Sequence, residues 1–319
     1  MAGQTITGKA FEYACFRKLA SFAGPNGEDT GEGPTTTIQV SSPQLDTAYK
    51  SYKRLDEKKQ NIYNIAAHMG MIMIRKLEPM LSKAGGNIYI ILNTDSAGQA
   101  GDVRDVIAAR MDQGWELGIS CKHQHEALKH PRITKNCDFG SDWVDIPCSN
   151  NFINTLNEVL KPLDGSKNWT DFPDKQSRFY VPILNAFEEE LRRLCSEPGV
   201  PERLLKYFFG SHDFYKIIAM DRERQTKIYG FNINGTLSKA DGKRKPIHKI
   251  PQLKMPTRLI EVSRKPQSRT TLLLVFDAGW TISMRLHNKD KIAKPTSLAW
   301  DVNLAGLPSD VYQQQISWD

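Results

Sequence analysis

Residues 101–122, GDVRDVIAARMDQGWELGISCK, read as two antiparallel strands joined by a tight turn. The second half, Trp115 to Lys122, alternates strictly between apolar and small or polar residues, the period-two pattern of a half-buried strand. A three-residue loop ending in glycine, Asp112-Gln113-Gly114, favours a type I turn with a left-handed glycine and sets the pairing register. Met111 then faces Trp115. Counting back places Arg104 opposite Lys122, Val106 opposite Ser120 and Asp102 opposite Gln124. Asp102 and Lys122 become diagonal neighbours ~7–8 Å apart on one face, with Asp105 on the other.

Working outward, residues 7–20 carry Ala10, Phe11, Ala14 and Leu19 on one helical face, with Glu12 near its edge. Residues 24–37 read as a loop. Ser42-Pro43 is a helix start, and residues 42–81 read as helical to Gly85-Gly86, with Met69, Met71 and Met73 as core. Residues 88–92 are a short β-branched strand. After Lys122 a basic run, residues 125–130, reads as a helix stopped by Pro131, and residues 143–146 as a further strand. The order is helix, three-strand meander, helix, strand: an α/β (α+β) fold. Added helices follow near 150–160 and 181–194, and strand-rich stretches at 214–233 and 258–286. No repeat at a fixed period is present.

A chain of 319 residues, 39% hydrophobic and 25% charged, can bury a large core. Its net charge of +7 points toward a polyanionic partner, and the positive charge is uneven. Residues 239–269 carry ten Lys and Arg against Asp241 and Glu261, a basic stripe that reads either as a solvated loop or as a DNA-contacting one. Five widely spaced cysteines, an odd number, argue against a disulfide framework. No membrane span or export signal is evident, so a cytoplasmic location and no membrane partner are expected.

A carboxylate and a lysine on one strand face suit phosphodiester hydrolysis. The carboxylate holds Mg²⁺ against the scissile phosphate while the cation stabilises charge and positions water. Asp102 is the expected metal ligand and Lys122 the expected phosphate or water contact. The plainer alternative is a cross-strand ion pair, with Arg104 as another partner for Asp102.

The element order and the spacing of Asp102 from Ser120-Cys121-Lys122 resemble the PD-(D/E)XK nuclease fold. More narrowly, the run GDVRDVIAARMDQGWELGISCKHQHEALKHPR (101–132) resembles the HaeIII-type restriction endonucleases, as do GKAFEYA (8–14), DFYKII (213–218) and GWTISMRLHN (279–288). This resemblance spans most of the chain. It implies Mg²⁺-dependent cleavage of double-stranded DNA at a short GGCC palindrome, as the restricting half of a system with a cognate DNA methyltransferase. That enzyme is a functional partner, not a physical one. A palindromic target implies a homodimer or successive nicks by a monomer. Residues 1–200 are the expected catalytic core, with a helical insertion at about 42–84, and residues 201–319 either a strand-rich DNA-recognition region or strands that extend the catalytic sheet.

Ser120 stands where the superfamily pattern carries an acid, so a second carboxylate must come from elsewhere. The resemblance implies Glu12, since nucleases of this fold often bring a glutamate from the first helix to the metal. Glu116 shares the face of Lys122 but lies about 20 Å along the strand, facing Arg110, and reads as a structural pair. Glu126 is either a ligand that swings back or a solvated helix residue. Ser120 could still hold a water ligand, and the Cys121 carbonyl could coordinate directly.

Cys121, His123, His125, His130 and Cys137 could be taken for a zinc site, but alternating strand residues splay apart and no CxxC-type pair supports it. Lys129 and Arg132 are expected at phosphates, and His123 and His125 at the backbone or bases. Trp280 reads as core, and Arg285 as either a DNA contact or a solvated side chain. The competing functions are a structure-specific nuclease of the same fold and a non-catalytic DNA-binding protein, which has no need of Asp102.

Overall fold

The computed structural model describes residues 2–22, 42–83, 87–94, 102–124, 127–165 and 167–318. The expected loop at 24–37, Gly85-Gly86, His125 and Glu126 lie outside the described residues. Two compact units form, each from separate stretches: Met1–His125, Ser211–Leu253 and Asp310–Asp319 in the first, Glu126–Gly210 and Lys254–Ser309 in the second. The expected boundary near residue 200 matches neither unit. A strand that continues a sheet in parallel needs a long crossover, and here the crossover is part of the second unit.

In chain order the first unit begins with α1 (Ala2–Phe22), α2 (Ser42–Lys53) and α3 (Glu57–Leu77). The single helix expected over 42–81 is broken at residues 54–56, where the Asp56 side chain accepts the Lys59 N–H at 2.7 Å and caps α3. Strands β1 (Tyr89–Leu92), β2 (Val106–Arg110) and β3 (Trp115–His123) form the antiparallel meander.

In the second unit come β4 (Ala127–Lys129), β5 (Arg132–Ile133), α4 (Phe139–Val144), α5 (Asn150–Leu160), the two-residue β6 (Lys167–Asn168), α6 (Val181–Cys195) and α7 (Val200–Phe209). Two expectations are reversed here. The basic run after Lys122 is a strand where it is described, paired with β13 (Leu298–Gly306), and Trp143 lies in a helix. Runs this short do not distinguish the two states. The outcome rests on tertiary pairing for β4 and, for α4, on the Asp138 cap accepting the Ser141 N–H at 3.1 Å.

The remaining strands are β7 (Phe214–Met220), β8 (Gln225–Phe231), β9 (Leu259–Arg264), β10 (Thr271–Phe276), β11 (Thr281–Asn288), β12 (Ile292–Ala293), β13 and β14 (Tyr312–Ser317). The first unit's six-stranded sheet runs β1-β2-β3-β7-β8-β14, with β3 and β7 parallel and the other neighbours antiparallel. The second unit's larger sheet runs β4-β13-β11-β10-β9. The first core joins Ala10, Phe11, Ala14 and Leu19 of α1 to Met71, Ile119 and Ile217. The second contains Phe139 stacked 4.7 Å from Phe187, and a fully buried Trp280, as expected. Among the described residues no helix is long and apolar enough to cross a membrane.

Candidate active site

The β2–β3 hairpin pairs Arg110 with Trp115 and Val106 with Ile119, one residue away from the expected register. The connection is four residues long: Met111–Gln113 form a 3₁₀ turn and Gly114, at φ 55°, closes it in the left-handed region. A one-residue slip exchanges the two faces of a strand. Asp105 therefore stands opposite Ser120 and on the face of Lys122, where Asp102 was expected. Its backbone N–H donates to the Ile119 carbonyl at 2.8 Å.

Asp105 Oδ2 is the centre of a converging set of donors. The Cys121 N–H donates to it at 2.6 Å, the Ser120 hydroxyl at 3.4 Å and the Lys122 ammonium at 3.4 Å. Glu12, 8% exposed, comes to the same place from α1 and is held by Lys9 at 2.9 Å. Burial and then the Asp105 charge raise the Glu12 carboxyl well above the usual carboxylate range, with Lys9 and Lys122 opposing. For Lys122 burial acts against the charge, but Asp105 and Glu12 outweigh it and raise the ammonium pKa. α1, the entry to β2 and β3 thus bring two carboxylates and one firmly protonated lysine together.

Asp102 is committed elsewhere. Its two carboxylate oxygens accept from Arg104 Nε and Nη2, each at 2.8 Å. Burial acts against its charge, but the Arg104 hydrogen bonds prevail and hold it below the ordinary value. The same guanidinium reaches Glu116, so the expected Glu116–Arg110 pair is replaced by Glu116–Arg104. Arg110 is fully buried instead, donating to the Met80 and Lys83 carbonyls at 2.8 and 2.7 Å. Gly118 makes room for this arrangement: a Cβ there would lie 2.1 Å from Arg104 Cδ. Asp102 and Glu116 are the acid partners of one buried arginine.

The remaining expected residues, among those described, have internal partners. The Cys121 thiol is buried in the core beside Cys15, and burial raises its pKa. His123 Nε2 lies 3.0 Å from Asp221 Oδ2 and 3.2 Å from Lys59 Nζ, and Lys59 also pairs with Asp221. This cluster, which the sequence reading missed, ties the end of β3 to α3 and to the turn after β7. Lys129 lies 3.7 Å from the Tyr207 ring centroid and donates to the Tyr207 carbonyl at 3.1 Å; burial lowers its pKa to about 8. Arg132 donates to the Thr296 carbonyl at 2.9 Å and Arg285 to Asp301 at 2.9 Å. Among the described residues no three His, Cys, Asp or Glu side chains gather as a metal cluster.

The family described as HaeIII restriction endonuclease matches residues 8–308, nearly the whole chain. The chain belongs to that family. The Type II restriction enzyme HaeIII of Haemophilus aegyptius is 33% identical over 318 residues, covering 98% of this chain and 97% of its own. No solved structure matches. As a member of the HaeIII restriction endonuclease family the protein is a DNA-cleaving hydrolase acting on double-stranded DNA.

Asp105 was the functional candidate that sequence reasoning set aside. The signal was present: an acid placed just before the apolar run Val106 to Ala109 and fifteen residues before Ser120. The loop length assigned to Met111 to Gly114 decided against it.

Proposed function

We propose that this chain is a magnesium-dependent type II restriction endonuclease with a PD-(D/E)XK active site, hydrolysing double-stranded DNA at GGCC. The observation that carries the site is the Lys122 ammonium 3.4 Å from the Asp105 carboxylate, with Glu12 close enough for its charge to act on Lys122. In this reading Asp105 takes the role expected of Asp102. Glu12 supplies the second carboxylate that Ser120 cannot.

The donor chemistry suits Mg²⁺, which is commonly held by one or two carboxylates while keeping waters and substrate phosphate as its other ligands. Glu12 and Asp105 would hold it, with the Cys121 carbonyl as a further oxygen donor. Burial and then the charge of the half-buried Asp105 raise the proton affinity of Glu12, and a divalent cation would relieve the repulsion between the two carboxylates. When bound, the ion supplies Lewis-acid polarisation of the phosphate and a lowered pKa for a coordinated water.

Lys122, protonated at neutral pH, donates to a non-bridging phosphate oxygen and stabilises the charge that develops there. Its charge makes it a donor and not a general base. The Ser120 hydroxyl and Cys121 N–H, both directed at Asp105 Oδ2, fix the orientation of that carboxylate.

The GGCC target is supported by 33% identity across nearly the full length of both chains. A homodimer, a cognate methyltransferase in the same system and a cytoplasmic location belong to the same reading. His123, Lys129, Arg132 and Arg285 remain the proposed DNA contacts, and of these Arg285 presents the most exposed guanidinium.

The test is cleavage of a duplex carrying one GGCC site, with Mg²⁺ or with chelator, followed by sequencing of the ends. Uniform ends at GGCC that require Mg²⁺ are expected. Scattered ends, or cuts confined to branched DNA, would replace this reading with a structure-specific nuclease. Binding without any cleavage would leave a DNA-binding protein.

A further inference from the structure

The second unit contains a cavity of 640 Å³ whose lining includes Asp174, Lys175, Gln176, Asn185, Arg264, Ser268 and Arg269. Three cations face one carboxylate there. Two of them, Arg264 and Arg269, come from the basic stripe noted in the sequence.

Its walls hold the donors in place. Gln176 begins a π-helix, Gln176–Tyr180, that leads into α6, a distortion often found at functional sites. Ser268 and Arg269 lie on the turn between β9 and β10. That turn is closed by Lys265 N–H donating to the Thr271 carbonyl at 2.9 Å and Ser268 N–H donating to the Lys265 carbonyl at 3.0 Å. Gln267 sits within it at φ 62°. Arg264, at the end of β9, donates through Nη2 to Asn185 Oδ1 at 2.5 Å.

The other end of that guanidinium is enclosed by protein. Arg264 Nη1 is buried and has no hydrogen-bond partner. A buried guanidinium nitrogen without an acceptor costs free energy that native proteins seldom leave uncompensated. Glu188, the nearby acid whose charge acts on Arg264, is itself engaged by Arg192 at 3.1 Å.

We infer that this cavity is an anion site that grips a phosphate of the DNA backbone, with Arg264, Arg269 and Lys175 as its cations. Arginine and lysine donors around a polar cavity match phosphate oxygens in charge and in geometry. The cavity exceeds the space a single ion requires and accommodates a short backbone segment. The inference rests on DNA as the substrate, but not on the assignment of Asp105, Glu12 and Lys122. It assigns the second unit a share of DNA affinity that is independent of base sequence.

The experiment measures binding of the full chain to duplex DNA in chelator across a salt series, for wild type, Arg269→Ala, Lys175→Ala and Lys265→Ala. Lys265 is exposed, lies on the same turn and is not part of the cavity wall, so it controls for net charge. Loss of each cavity cation should reduce the slope of log affinity against log salt by about 1. At ~0.1 M salt each should also weaken binding severalfold, equally on GGCC and on unrelated duplex, with Lys265→Ala close to wild type. An equal effect of Lys265→Ala, or an unchanged slope in both cavity variants, would overturn the inference. A loss confined to GGCC duplex would also overturn it, by pointing to base reading. Thermal melting checks that every variant is folded. Cleavage of GGCC duplex by wild type with Mg²⁺ tests the catalytic reading separately.

Discussion

Asp105 Oδ2 lies 3.4 Å from Lys122 Nζ, and the two side chains share a face because the β2–β3 hairpin turns through four residues. Counting a three-residue turn moves every side chain of one strand to the opposite face and pairs Lys122 with Asp102 instead. The two aspartates, three residues apart, thereby acquire different roles: one beside the lysine, the other beside Arg104.

Asp105→Asn is expected to reduce cleavage by at least about a hundredfold while duplex binding persists. Asp102→Asn is expected to retain cleavage at low temperature but to lose about 2–3 kcal/mol of stability. It leaves Arg104, only 6% exposed, with a single acid partner. Side-by-side cleavage rates and urea midpoints decide between them. The reverse pattern would restore Asp102 to the site.

Gly118→Ala places a methyl group 2.1 Å from Arg104 Cδ and 2.7 Å from Cγ, mid-chain atoms of a side chain anchored at its far end by Asp102. A loss of about 2 kcal/mol is expected. Combining it with Arg104→Ala should give a strongly non-additive result, with a coupling of about 1 kcal/mol or more in a double-mutant cycle. Additivity would show that the arginine had moved aside freely.

Glu12→Gln should act in opposite senses on stability and function. Without divalent cation it removes a buried carboxylate that Asp105 repels, so the melting temperature should rise. With Mg²⁺ it removes a ligand, so the half-saturating concentration should increase by roughly tenfold or more. A lower melting temperature with an unchanged Mg²⁺ requirement would mark Glu12 as a structural residue.

Glu78 is fully buried, accepting the Tyr215 hydroxyl at 2.8 Å and the Ser238 N–H at 2.6 Å. Burial pushes its carboxyl from the ordinary 4.5 up to about 7, against those hydrogen bonds. The native state therefore holds the proton more tightly than the unfolded chain. The corresponding stability is fully present below pH 4.5 and is lost as pH rises through 7, on the order of 3 kcal/mol. Urea midpoints from pH 4 to 8 should decline less steeply for Glu78→Gln than for wild type. Parallel curves would contradict the assignment.

The first helix, the three-strand meander and the burial of Trp280 were legible from the sequence, and Lys122 and Glu12 were named there as candidates. Each depends on hydrophobic periodicity or on an element whose residues are adjacent in sequence, or was implied by a resemblance spanning most of the chain. Asp105 was not legible, because Met111-Asp112-Gln113-Gly114 is compatible with turns of two lengths. Residues 127–129 and 143–146 were misread for a related reason: runs of three or four residues have too little periodicity to separate helix from strand. His123 could not be connected to Lys59 and Asp221, which reach it from a distant helix and a distant turn.

The amino-acid sequence by itself determined the element types of the longer segments, the apolar face of α1, the basic stripe and the family. These follow from local periodicity, composition and residue identity over long runs. Tertiary structure alone decided which aspartate meets Lys122, that Glu12 joins it, and that Arg104 and Arg110 are buried. Those outcomes depend on strand register and on contacts between groups far apart in the chain. There the packing of a whole core outweighs the small preference of a four-residue turn.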